Sequence, residues 1–384
     1  MHARATGELH RASTPLELFF DLIFVVAIAL NAAGLHHGIA ENHAGAALLS
    51  YIMQFMVIWW AWMGFTWFAS AFDADDVPYR LLVFLQMAGA LVIAAGIPRA
   101  FDHFDFWVIT LGYTLVRISL VWLWLRAWRA NPRLRPTISR YMIGLVACQL
   151  LWISLLFMPK DWLLPLFAVF ITLEMLVPFW AERTTRTPAH PEHINERYSL
   201  FTIIVLGESI LATVVSIKDS VTGTGHIGNS AIVIVSAMLV MFSLWWMYFG
   251  KPKAELEKRS LLGGFLWGYG HYFIFASAAA IGAGFSLSVE FVNGGLKIPE
   301  AMVQRAIAIP VALYLFSLWV VHFEDMRHSR PARSLFPLVV VLLLATTALP
   351  HVTHTLLAIA ALTCGLLAVF LHQHYDAGET GHSS

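Results

Sequence analysis

The sequence predicts an all-α, polytopic integral membrane protein of about twelve transmembrane helices, arranged as two six-span halves. Three observations carry this. The chain of 384 residues is 59% hydrophobic and only 12% charged, with a mean hydropathy of +0.70, whereas a soluble domain is about a quarter charged. Its apolar residues fall into runs of about twenty, each long enough to cross a ~30 Å hydrocarbon layer as a helix. Its Lys and Arg residues concentrate in alternate connections between those runs. The net charge of zero removes the basic surface that nucleic acid would require. Two cysteines, Cys148 and Cys364, both within apolar runs, exclude a disulfide scaffold and a cysteine-rich metal site.

The spans follow in order. The first, 16–36, keeps Glu17 and Asp21 in its first turns and lacks a convincing cleavage site, unlike a secretory signal. The second, 45–70, holds the aromatic run Trp59-Trp60-Ala61-Trp62. The third, 79–98, begins beside Arg80 and stops before Arg99. The fourth, 105–125, carries Arg117 in its interior. The fifth, 140–158, and the sixth, 162–180, are separated by Lys160, and the sixth contains Glu174. After the connection 181–197, the seventh span, 198–216, carries Glu208. The eighth, 231–249, ends in Trp245-Trp246-Met247-Tyr248, and the ninth, 262–287, carries His271. Spans at 305–322, 335–350 and 352–371 complete the set. The runs are continuously apolar without ten-residue alternation, which favours helix over strand.

Placing the N-terminus in the cytoplasm puts eighteen Lys and Arg residues on the inside, five on the outside and Arg117 within a span. That asymmetry satisfies the positive-inside rule and puts both termini in the cytoplasm. The connections are short, so no appended soluble domain is expected. The longest cytoplasmic one, Ala181 to Glu196, divides the chain into a first repeat at 1–180, a linker at 181–197 and a second repeat at 198–384. Faint likenesses support the division: Glu17-Leu-Phe-Phe with Glu196-Arg-Tyr-Ser, the two Trp-rich runs, and Ser119-Leu-Val-Trp with Ser317-Leu-Trp-Val. Their offsets grow from 179 through 186 to 198. Six spans per half bring both halves in from the same side, which predicts a parallel repeat about the membrane normal.

Ionisable groups facing lipid cost roughly 2.5–3.5 kcal/mol at a helix centre, so those inside spans are informative. Glu17 and Asp21, four apart, share a helix face. Arg117 lies nine residues, about 14 Å, from the cytoplasmic end of its span, and Glu208 about 16 Å deep in its own. Matching depth makes Glu208 one partner for Arg117, with Asp21 and Glu174 as the others. Of seventeen histidines, only His271 is deep in a span. Each buried charge has a structural reading beside the functional one: an ion pair that fixes helix register, or, for Glu17, a carboxylate suited to a helix N-terminus.

Other constellations are weaker. His193 and Glu196, at helical spacing three and followed by Arg197, fit a polar helix start behind Pro191 better than a metal site. Asp73, Asp75 and Asp76 form an acidic cluster that suits pairing with Arg126 to Arg140 more than cation binding. Gly264 and Gly268 have the spacing of a close helix contact. Loop histidines His36, His37, His351 and His354 are read as solvated. There is no nucleotide-binding or hydrolase fingerprint in credible context, so ATP-driven transport by this chain alone is not expected, and neither a cofactor nor a metal is expected.

Three stretches resemble the bacterial low-temperature-requirement A family of membrane proteins. They are Thr14-Pro-Leu-Glu-Leu-Phe-Phe-Asp-Leu-Ile-Phe-Val25, Phe72-Asp-Ala-Asp-Asp-Val-Pro-Tyr-Arg80, and His193-Ile-Asn-Glu-Arg-Tyr198 through Val205-Leu-Gly-Glu-Ser209; Tyr269-Gly-His-Tyr272 continues the last. The resemblance implies a multi-span bacterial inner-membrane protein whose family name records growth in the cold, and no established reaction. Glu17, Asp21, Glu208 and His271 all fall within the matching stretches. The first span is also similar to the Phe-Ser-Asp helix of lysosomal-type potassium channels. Phe20 stands in place of that Ser, and Leu200 stands where the Asp should recur, so pore identity does not carry over.

The leading expectation is a secondary transporter, proton-linked, for an unidentified small solute or ion, with Glu17, Asp21, Arg117, Glu208 and His271 along its polar path. The alternatives are a cation channel with six-span repeats, and a structural factor or intramembrane enzyme supporting membranes in the cold. The expected partners are the lipid bilayer and that solute; a homo-oligomer is compatible with the sequence.

Overall fold

A computed structural model describes residues 1, 12–222, 227–250, 260–322 and 330–381. Arg4, Arg11, the basic stretch Lys251 to Arg259, and Arg327, all counted in the charge asymmetry, lie outside the described residues. Among those described there are helices and no strand. In chain order these are α1 (Pro15–Ala40), α2 (Ala44–Phe72), α3 (Val77–His103), α4 (Trp107–Ala130), α5 (Arg135–Leu155), α6 (Lys160–Ala181), α7 (Pro191–Thr222), α8 (Ile227–Phe249), α9 (Leu261–Val292), α10 (Glu300–Val321), α11 (Arg330–Ala345) and α12 (Val352–Gly381). Eleven are long and apolar enough to span a membrane. The exception is α11. It has 16 residues, contains Pro337, and tightens into a 3-10 turn at Thr346–Ala348. The chain is therefore a multi-pass helical membrane protein.

Helix starts are set by local chemistry. Thr14-Pro15-Leu16-Glu17 is a capping box: the Glu17 N–H donates to Thr14 Oγ1 at 3.3 Å and the Thr14 N–H donates to Glu17 Oε2 at 2.8 Å. Pro15 opens α1, where its missing N–H costs nothing. Asp76 caps α3 by accepting from the Tyr79 N–H at 2.8 Å, and Ser260 caps α9 through the Gly263 N–H at 3.0 Å.

The chain forms two compact units. The first comprises residues 1–31 and 53–197. In it α3 packs on α4, α4 on α5 and α5 on α6. Gly89 and Gly112 let the α3 and α4 backbones meet: a Cβ at Gly89 would stand 2.7 Å from the Gly112 carbonyl oxygen. The second unit comprises residues 32–52 and 198–384. There α9 packs on α10, α10 on α11, α11 on α12 and α8 on α12. The start of α2 joins this unit through Tyr51, whose hydroxyl donates to the Ala276 carbonyl at 2.6 Å.

Candidate functional site

In the first unit, the start of α1 meets the start of α7. Glu17 and Asp21, four residues apart, face His193 and Arg197, also four apart. Arg197 Nη2 lies 2.5 Å from Asp21 Oδ1, Nε lies 3.2 Å from Oδ2, and Nη1 reaches Glu17 Oε1 at 3.1 Å. His193 Nε2 lies 3.2 Å from Glu17 Oε1. From α2, the Trp62 Nε1–H donates to Asp21 Oδ1 at 2.7 Å, and Thr66 Oγ1 sits 3.4 Å from Arg197 Nη2. All six side chains are buried. The guanidinium fork thus spans two carboxylates, a geometry a lysine ammonium cannot copy.

Two acidic groups surround one permanent cation, with an imidazole beside them. Taken by themselves, with both carboxylates ionised, these four groups sum to −1 when His193 is neutral and to zero when it is protonated. A buried charge left uncompensated costs several kcal/mol, and among these four groups a proton on His193 supplies the balance.

A second buried pair lies in the same unit. Arg117 on α4 pairs with Glu174 on α6 and lies over the Tyr113 ring. The Tyr113 hydroxyl donates to Glu174 Oε1 at 2.8 Å, and the Trp152 Nε1–H from α5 donates to Oε2 at 2.6 Å. Of the three carboxylates that depth and sequence offered to Arg117, the partner is Glu174, because the turn of α4 that carries Arg117 faces α5 and α6.

Both stretches that meet at the Asp21–Arg197 contact, Thr14 to Val25 and His193 to Tyr198, are the ones whose residues resemble a known family, and the whole chain can be compared with it. Residues 12–371 match the family described as bacterial low temperature requirement A protein (LtrA). The chain belongs to that family. It is also 27% identical over 302 residues, 74% of this chain and 71% of the other, to an uncharacterized protein of Rhizobium meliloti (strain 1021).

The remaining sequence candidates fall elsewhere. In the second unit, His271 sits on α9 within hydrogen-bonding distance of the Trp267 carbonyl through Nδ1 at 2.7 Å and of the Tyr248 hydroxyl through Nε2 at 3.1 Å. One tautomer, Nδ1–H donating and Nε2 accepting, satisfies both contacts. The rings of Tyr198, Trp267, Phe275 and His322 surround it. Glu208 is half-buried and makes no hydrogen bond or ion pair among the described residues. Its neighbour Ser209 donates to the Ala278 carbonyl at 2.8 Å, two turns along α9 from His271, or about 10 Å.

Glu196 accepts from the Ser13 N–H at 3.2 Å and so helps hold the chain at the start of α1. Among the described residues, no group of three His, Cys, Asp or Glu side chains could hold a metal. The acidic cluster is used in pairing and capping. Asp76 pairs with Arg126 at 2.5 Å, Asp75 with Arg80 at 2.9 Å, and Asp73 Oδ1 accepts from the Asp75 N–H at 3.3 Å. The Arg126 hydrogen bond first, and the Tyr79 N–H after it, hold the Asp76 carboxyl below its ordinary range. At the other end of the linker, burial pushes the Glu182 carboxyl up, against hydrogen bonds from Thr187 and Tyr141.

Sequence reasoning placed Arg197 at a cytoplasmic end and missed Trp62, Thr66, Tyr113 and Trp152. The signal available for Arg197 was the mirrored spacing of four in two stretches of opposite charge. Aromatic N–H and O–H groups leave no such mark.

Proposed function

We propose that this protein is a proton-linked secondary transporter of a small solute or ion in the bacterial inner membrane. Its N- and C-termini are cytoplasmic, and its two six-span repeats, 1–180 and 198–384, are related by an axis along the membrane normal. The supporting observation is the charge inventory around Arg197. A register lock needs one acid and one base; among these four groups a second carboxylate and a histidine leave a balance that one proton on His193 completes. Ionisable groups kept inside spans at such cost mark proton and substrate paths. On this reading Arg197 and Asp21 form the fixed part of the cluster, and Glu17 with His193 carries the exchangeable proton.

The channel alternative has less support, because Asp21 is held by Arg197 and Trp62 rather than open to a passing ion. The test uses full-length protein in liposomes that enclose a pH-sensitive dye. Potassium, sodium, ammonium, short carboxylates and amino acids are added outside in turn. A saturable, solute-dependent proton flux that disappears in folded His193→Gln is expected. Absence of coupled flux across the panel in folded wild type would overturn the proposal, and single-channel currents would select the channel instead.

A further inference from the structure

In the first unit, a cavity of about 390 Å³ lies among α2, α4, α5 and α6, within the ~300–1,000 Å³ range of small-molecule sites. Its floor includes Tyr113 and Trp152. Their polar atoms are already engaged, since both donate to Glu174 behind them. The floor therefore offers ring surface rather than free donors, and Met53, Val57 and Phe167 extend that apolar wall. An occupant of this space has an apolar body.

The mouth is different. Lys160 and His103 line it; His103 acts electrostatically on Asp105, whereas Lys160 makes no hydrogen bond or ion pair among the described residues. Asp105 also lines it, but Arg99 Nε at 2.7 Å and the Trp107 N–H at 3.0 Å occupy that carboxylate, which stands one residue before the α4 N-cap, Phe106. These bonds, the Trp107 N–H first and Arg99 second, hold it ionised, with its pKa lowered. Helix α6 has no such acceptor: its cap residue is Pro159, which makes no side-chain cap hydrogen bond. Asp161 lies in that first turn but does not line the cavity. Lys160, which forms no ion pair among the described residues, thus supplies the cationic group at the mouth. The exposed Trp107 ring, 5.6 Å from that of Phe157, fits the aromatic belt at a membrane–water boundary, where amphiphiles gather.

We propose that this cavity binds an amphipathic monoanion, with its apolar body against Tyr113 and Trp152 and its anionic head at Lys160. A medium-chain or aryl carboxylate has this chemistry, as does an anionic phospholipid with one acyl chain in the cavity and its phosphate at Lys160. Binding rests on the cavity alone; the anion's role as the transported species rests on the transport reading above.

The test measures radiolabelled octanoate binding to full-length protein in phosphatidylcholine nanodiscs by equilibrium dialysis, corrected with empty nanodiscs. Saturable binding is expected, with octylamine and octanol failing to compete. Lys160→Gln should weaken binding at least about tenfold and Lys160→Arg should restore it. Thr110→Trp, which fills the cavity, should abolish it; if that variant does not fold, the exposed Lys160 pair still decides. Competition by octylamine equal to that by unlabelled octanoate, or unchanged binding in Lys160→Gln, overturns the proposal. Including phosphatidylglycerol at about one-fifth of the lipid separates the sources: reduced octanoate binding assigns the site to a phospholipid, and unchanged binding assigns it to a free acid. Octanoate binding without flux removes the transport reading and leaves this site standing. Flux of other solutes without octanoate binding does the reverse.

Discussion

Arg197 grips Asp21 with two nitrogens, Nη2 at 2.5 Å from Oδ1 and Nε at 3.2 Å from Oδ2, and both side chains are fully buried. Removing one member of such a pair strands the other, at a cost of about 3–5 kcal/mol. Arg197→Met should therefore abolish monodisperse protein or lower the melting temperature sharply, because Glu17 and Asp21 are left without their shared cation. Asp21→Asn in the same chain should recover most of the folded yield. Arg197→Lys should fall between, since a point charge cannot reach all three contacts. A double variant no better than Arg197→Met would show that the pair is not the stabilising unit.

Asp76 gives a pH-dependent case outside the spans. Its carboxyl is held below the ordinary value of 3.8, first by the Arg126 hydrogen bond. A lowered folded pKa means the unfolded chain binds more protons on acidification. The stabilisation is thus complete above pH 3.8 and is lost as pH falls through the lower folded value. Asp76→Ala should cost about 0.5–2 kcal/mol at pH 7, as loss of a helix cap does. Thermal melts in detergent should show the gap from wild type narrowing toward pH 3. An equal gap at both pH values would contradict the assignment.

The lysine and arginine asymmetry makes a topological prediction. Arg197 proves to be buried, yet without it the proposed orientation still sets seventeen Lys and Arg residues inside against five outside. Reporter fusions after Arg135 and Lys258 should read cytoplasmic, and one near Asp219 external. An external reading after Arg135 would remove the proposed orientation.

The spans were legible because hydropathy is a property of the chain read in one dimension: a run of twenty apolar residues becomes a helix whatever its neighbours are. Only α11 falls short of the rule among the described residues, ending at Ala345 where the chain tightens into the 3-10 turn Thr346–Ala348. The polar residues were legible for a related reason, the cost of placing them in lipid, and so Glu17, Asp21, Arg117 and Glu174 stood out. Their pairing was not legible. Arg197 reads as a boundary cation because its neighbours in sequence are polar, and only the third dimension turns it toward Asp21. Trp62 reads as an interface marker, but its N–H is spent on Asp21. Gly264 and Gly268 have contact spacing, yet a Cβ at Gly264 would meet nothing within 4 Å among the described residues.

The glycines supply a paired prediction. A Cβ at Gly282 on α9 would stand 2.8 Å from Ser209 Cα on α7, too close for backbone to yield without moving the helix. Gly282→Ala should therefore lose about 1–3 kcal/mol through overpacking. Gly264→Ala, in open space on the same helix, should be neutral or gain up to about 1 kcal/mol from helix propensity. Melting temperatures of the two single variants decide it; a loss at Gly264 as large as at Gly282 would refute the close-approach argument.

The last prediction contrasts a buried acid with a half-buried one. Glu174 is fully engaged by Arg117, Tyr113 and Trp152, whereas Glu208 is half-buried and has no partner among the described residues. Glu174→Gln leaves the Arg117 guanidinium buried without a counter-charge and should cost about 3–5 kcal/mol, with Arg117→Gln in the same chain restoring stability. Trp152→Phe removes one donor to a charged acceptor and should cost about 1.5–3 kcal/mol. Glu208→Gln breaks no contact, and its effect on stability should stay within about 0.5 kcal/mol. Its consequence is therefore read in transport alone. If Glu208 shares the proton path, the folded Glu208→Gln protein should lose the pH dependence of flux while its melting temperature stays at the wild-type value. An unchanged pH profile would confine the proton to the Glu17–His193 cluster, where His193→Gln alone should remove it.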